Sequence, residues 1–137
     1  MTQTLKQLVS ISDLDFKNFP IQFKEKFESV SIFIPNKDGM ADGNLYCEIW
    51  FQNDRNGLIK KVTSAVAFQG QYMQYFEVID QCIKSNNVQS VQTLETPTGE
   101  TKMLAFSTPN FDNISQVAEM TKILLEITYT VVQELKI

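Results

Sequence analysis

The chain has 137 residues, a formal net charge of −4, 43% apolar and 20% charged residues, and no histidine. That composition fits one folded domain and excludes a disordered tail. The acidic balance argues against nucleic acid, which is bound through Lys/Arg counterion release. The missing histidine removes Ser-His and Cys-His catalysis and the commonest metal ligand.

No run of residues approaches the ~18–20 apolar positions that a membrane span requires. The N-terminal MTQTLKQLVS lacks a cationic segment followed by an apolar core. The expected location is therefore cytoplasmic. Cys47 and Cys82 form no CxxC pair and read as reduced, buried thiols.

Leu5, Leu8 and Val9 share one face of a short N-terminal helix. The next segment fits two periods. Phe16, Phe19, Phe23 and Phe27 stand at roughly helical spacing, whereas Phe19, Ile21, Phe23 and Phe27 also fit a strand of period two. Asn18 and Pro20 can start a helix, so the segment leans helical.

Ser29 to Pro35 alternates, with Val30, Ile32 and Ile34 on one face. A polar loop follows over 36–44, rich in turn formers. Leu45 to Gln52 alternates again. Leu45, Cys47, Ile49 and Phe51 face one way, and Tyr46, Glu48 and Trp50 the other. After a turn over 53–57, Leu58 to Phe68 fits a strand or a helix. A strand is preferred because the connection is short.

Tyr72, Phe76, Ile79 and Ile83 recur at helical spacing, with Tyr75 and Cys82 beside them. Val88 to Thr96 and Thr101 to Thr108 flank Pro97-Thr98-Gly99 as a hairpin. Asp112 suits an N-cap for a last, long helix. Val117, Met120, Leu124, Ile127 and Val131 line its apolar stripe, widened by Ile123, Leu125 and Val132. The expected order is α-β-β-β-α-β-β-α. This is an α+β domain over 1–137, with one antiparallel sheet and helices.

Few residues invite chemistry. Glu77 and Asp80 share a helix face and are expected in solvent. Glu48 lies within an apolar strand, on the side of Tyr46 and Trp50, and is expected on the solvent-facing or partner-facing side of the sheet. Asp38, Asp42 and Asn44 do not match a calcium loop. No glycine-rich phosphate cradle is present. No catalytic residue, cofactor or metal is expected. What remains is apolar surplus, including ten Phe, four Tyr and one Trp. Surplus of that kind marks a protein interface.

One resemblance follows from the C-terminal third. The stretch Leu94-Glu95-Thr96-Pro97-Thr98-Gly99-Glu100-Thr101-Lys102-Met103-Leu104-Ala105-Phe106, then the helix through Leu135, resembles the closing unit of the type III secretion chaperones and their YbjN-type relatives. The element order and acidity are similar too. The resemblance implies a non-enzymatic homodimer that holds an extended segment of a larger protein partner, with no cofactor. Tyr72, Tyr75, Phe76 and Ile79 would serve dimerisation, and Leu5, Leu8, Tyr46 and Trp50 the partner grooves. A roadblock-type scaffold or regulatory subunit is the alternative, and it needs three strands after the central helix. A protein binding a small ligand in an aromatic-lined pocket is another.

Overall fold

The computed structural model describes residues 17–24, 26, 29–53, 55–56, 59–86, 88, 91–108 and 114–137. Among these, six strands form one antiparallel sheet: β1 (Ile21–Lys24), β2 (Ser29–Phe33), β3 (Leu45–Asn53), β4 (Ile59–Gln69), β5 (Gln92–Glu95) and β6 (Thr101–Thr108). Their spatial order is β1-β2-β3-β4-β6-β5. Between β4 and β5 lie a 3-10 helix (Gly70–Tyr75) and α1 (Phe76–Ser85), and α2 (Ile114–Leu135) closes the chain. The α+β class with a single antiparallel sheet stands. The order differs from the expectation, because four strands precede the central helix.

The difference lies at β1. The segment around Asn18–Phe27 leans helical in sequence, yet Ile21 to Lys24 pair with β2. Ile21 sits opposite Ile32 and Phe23 opposite Val30. Pro20 offers no N–H, but its carbonyl accepts the Phe33 N–H at 2.9 Å, so the proline sits at the strand's start without costing a ladder bond. Phe19 is buried, and its ring lies 5.0 Å from that of Tyr129 on α2. The expected helix carrying Leu5, Leu8 and Val9 and the expected N-cap at Asp112 lie outside the described residues.

The strand preferred at Leu58–Phe68 is β4, the centre of the sheet. Every residue from Val62 to Phe68 is buried. A central strand covered on both edges and both faces reads as a continuous apolar and small run, which is why its alternation is weak. β3 pairs along nearly its whole length with β4, with a register shift between Gln52 and Asn53.

At the hairpin, the Gly99 N–H bonds the Thr96 carbonyl at 2.9 Å. Gly99 has φ +73°, a conformation that suits a residue without a Cβ. Only four residues of the expected Val88–Thr96 strand pair, and Val88 itself is buried at the end of α1.

Parity divides the sheet. Val30, Ile32, Cys47, Ile49, Val66, Phe68, Leu104 and Phe106 face the helices and join Phe76, Ile79, Ile83, Leu124 and Val132 in one core. A hydroxyl chain runs through that core. Cys47 Sγ lies 3.5 Å from Ser64 Oγ, which lies 2.7 Å from Thr121 Oγ1. Thr121 donates to the Val117 carbonyl at 2.8 Å. Its proton is therefore committed, so Ser64 donates to Thr121 and accepts from the Cys47 thiol. No described helix is long and apolar enough to cross a membrane.

Candidate functional site

The turn formers of 36–44 are occupied in building the loop. Asn36 Oδ1 accepts the N–H groups of Asp38 and Met40, and Asp42 Oδ1 accepts that of Asn44. The other Asp42 oxygen accepts from Gln71 at 3.1 Å and from the Tyr72 hydroxyl at 3.2 Å, which pins the 3-10 helix to the loop. Among the described residues no three His, Cys, Asp or Glu stand close enough to hold a metal ion.

The four residues expected at a dimer contact do not share one exposed surface. Tyr72, Phe76 and Ile79 are buried in the protein's own core, at 2%, 6% and 1% exposure. Phe76 meets Phe68 edge-on with ring centroids 5.3 Å apart, and Lys102 Nζ lies 5.3 Å from the Phe76 ring. Tyr75 alone of the four is half-buried. Helical periodicity finds the apolar face correctly, but it does not say which layer covers that face.

Of the residues expected in partner grooves, Leu5 and Leu8 lie outside the described residues. Tyr46 and Trp50 are half-buried on the sheet face opposite the helices, with Glu48 between them. Small residues lie beside them in the ladder. Ser31 pairs Glu48, Ser29 pairs Trp50, and across β4 come Thr63, Ala65 and Ala67. All five are buried. The Ser29 and Ser31 hydroxyls have no hydrogen-bond partner among the described residues. Tyr46 packs against Phe33 at 5.9 Å between ring centroids, and burial, then the Glu48 charge, raise its phenol above the ordinary value. Trp50 and Glu48 thus lie half-buried among small, buried neighbours.

A concave feature lies elsewhere. A groove of about 740 Å³ runs between α1 and α2. Cys82 forms one wall, with Asn86 and Val88 just beyond the end of α1. The opposite wall comes from α2, whose Met120, Ile123, Ile127 and Val131 recur at i, i+3, i+7 and i+11. Glu126, Thr130 and Glu134 form its rim on the same helix.

This wall exists because α2 has two apolar sectors. The sector on the sheet carries Val117, Thr121, Leu124, Leu125, Thr128 and Val132, all buried. Met120 and Ile127, which the sequence places at the centre of the stripe, are half-buried at its flank, and Ile123 keeps 39% of its surface exposed. Thr121 and Thr128 take the central places. Their seven-residue spacing, in step with Val117 and Leu124, is the signal that would have shown the rotation.

The two thiols differ in the same way. Cys47 is fully buried, and desolvation pushes its pKa up to about 12. Cys82 is partly exposed and lines the groove.

The chain matches no family model and no curated protein. The groove must therefore be interpreted from its own chemistry. It offers apolar walls, two carboxylates, one hydroxyl, one amide and one accessible thiol. Such a set can bury apolar side chains and attract cations.

Proposed function

We propose that this protein is a non-enzymatic, protein-binding module of the secretion-chaperone type, a cytoplasmic homodimer that holds a segment of a larger protein. The observation that carries the reading is the groove between α1 and α2, where Ile123 is exposed and Met120 and Ile127 are half-buried although the helix's other face already fills the core. A helix that keeps a second apolar sector beyond its own core is the usual form of an interaction surface. Within this reading Tyr75 is the accessible member of the expected dimer contact. The roadblock-type alternative finds less support, because two strands rather than three follow α1 among the described residues.

The test compares affinity captures with the wild-type protein and an Ile123→Asp variant, scored by mass spectrometry. The reading expects one larger protein near stoichiometry with wild type and its loss with the variant. The same co-eluting set with both proteins would contradict it. Stabilisation by a metabolite in a thermal-shift screen, with no protein captured, would favour a small ligand instead.

A further inference from the structure

We infer that the α1–α2 groove takes an amphipathic helix whose apolar stripe is flanked by two basic residues about two turns apart. The inference rests on the protein-binding reading above and specifies the partner's chemistry.

The walls decide the form. One is α2, whose backbone groups bond internally; the other is Cys82 near the end of α1 with Asn86 and Val88, whose N–H groups bond the Ile83 carbonyl. They present side chains to the groove, and the polar ones sit at its edge: Glu126, Thr130 and Glu134 on the α2 rim and Asn86 beyond α1. An extended segment would bring a row of backbone donors and acceptors with nothing to pair them. A helix satisfies its own backbone and brings only side chains. The dimensions agree. Met120 to Val131 runs about 16 Å along α2, which accommodates anchors at i, i+3 or i+4, and i+7, spread over ~10 Å.

The rim decides the charge. Glu126 and Glu134 are exposed and eight residues apart on α2, about 12 Å along its axis. No Lys or Arg lines the groove among the described residues. Lys84 of α1 is held by Asp80 at 3.0 Å. A basic partner helix can place one cation at each carboxylate. A second copy of this chain cannot. A two-fold contact puts the same patch on both sides, and would set Glu126 and Glu134 against their own copies.

The test uses two synthetic helical peptides of about 18 residues (~27 Å). Both carry a leucine stripe, and they differ only in having Lys or Glu at two flanking positions eight residues apart. Fluorescence anisotropy reads their binding to the wild-type full chain and to an E126K/E134K double variant, both exposed positions. A thiol reagent reads groove occupancy at Cys82, since Cys47 is fully buried. The inference expects the Lys peptide to bind wild type at least about tenfold more tightly than the Glu peptide. It expects the double variant to reverse that preference, and the bound Lys peptide to slow Cys82 labelling. Equal affinity for both peptides, or binding that leaves Cys82 labelling unchanged, would overturn it. So would concentration-dependent self-association that protects Cys82 and is relieved by Ile123→Asp, because a second copy would then occupy the groove. If neither peptide binds while Ile123→Asp still loses a captured protein, the helical, basic occupant is refuted and the binding-module reading survives. If the capture is unaffected by Ile123→Asp, that reading fails separately.

Discussion

Ser64 on the central strand and Thr121 on the long helix meet with their hydroxyl oxygens 2.7 Å apart, both fully buried. This contact sets the rotation of α2. Turning Thr121 onto Ser64 places Leu124, Thr128 and Val132 on the sheet, and leaves Ile123 and Ile127 along the groove.

Thr121→Val removes the oxygen acceptor for the Ser64 proton and leaves the buried Ser64 hydroxyl with the weak Cys47 sulfur as its side-chain partner. The expected cost is about 1–3 kcal/mol in urea unfolding. Adding Ser64→Ala removes the hydroxyl that lost its oxygen acceptor. The double variant should then lose less than the two single losses combined, by about 1 kcal/mol. Strict additivity would mean that the two hydroxyls do not act as a pair.

The expected dimer residues and the groove residues should separate in their effects. Ile79→Ala empties a core position at 1% exposure and is expected to cost about 2–5 kcal/mol of stability. Ile123→Ala, at 39% exposure, should cost less than about 0.5 kcal/mol. Thermal denaturation of both variants checks the contrast. Similar losses would place Ile123 in the core.

Cys47 makes stability depend on alkaline pH. Its pKa rises from an ordinary 9.0 to about 12 on folding, mainly through burial. The folded protein therefore holds this proton more tightly than the unfolded chain does. Stability from this group is full below pH 9 and falls as pH rises toward 12. The phenols of Tyr46 and Tyr72 are shifted upward as well, also by burial first, and act in the same direction. Cys47→Ala should flatten the decline that begins near pH 9, as read by denaturant midpoints across that range. An unchanged slope would refute the assignment to Cys47.

Much of the sheet was legible in the chain. Alternation over Leu45–Gln52 and Thr101–Thr108, and the helical spacing from Tyr72 to Ile83, correspond to observed elements. β1 was not, because Phe19, Phe23 and Phe27 satisfy helical spacing as well as Phe19, Ile21 and Phe23 satisfy a strand. Only the ladder with Val30 and Ile32 decides between them. The groove was less legible still. Hydrophobicity alone ranks Met120 and Ile127 above Thr121 and Thr128 as core residues. The preference is inverted by a hydroxyl on β4, 57 positions away from Thr121, that gives it a buried partner. Aromatic content likewise points to Tyr46 and Trp50, which are half-buried beside the small, buried residues of the neighbouring strands.

The most direct test of the central claim is site-directed photocrosslinking from Cys82 in cells that produce the full chain. A benzophenone maleimide on this partly exposed thiol would sit in the groove, and the fully buried Cys47 would stay unlabelled. The account predicts one dominant crosslink to a larger protein, mapping to a helical segment with basic residues and lost in the E126K/E134K variant. Crosslinks only within the chain or to a second copy of it would contradict the claim.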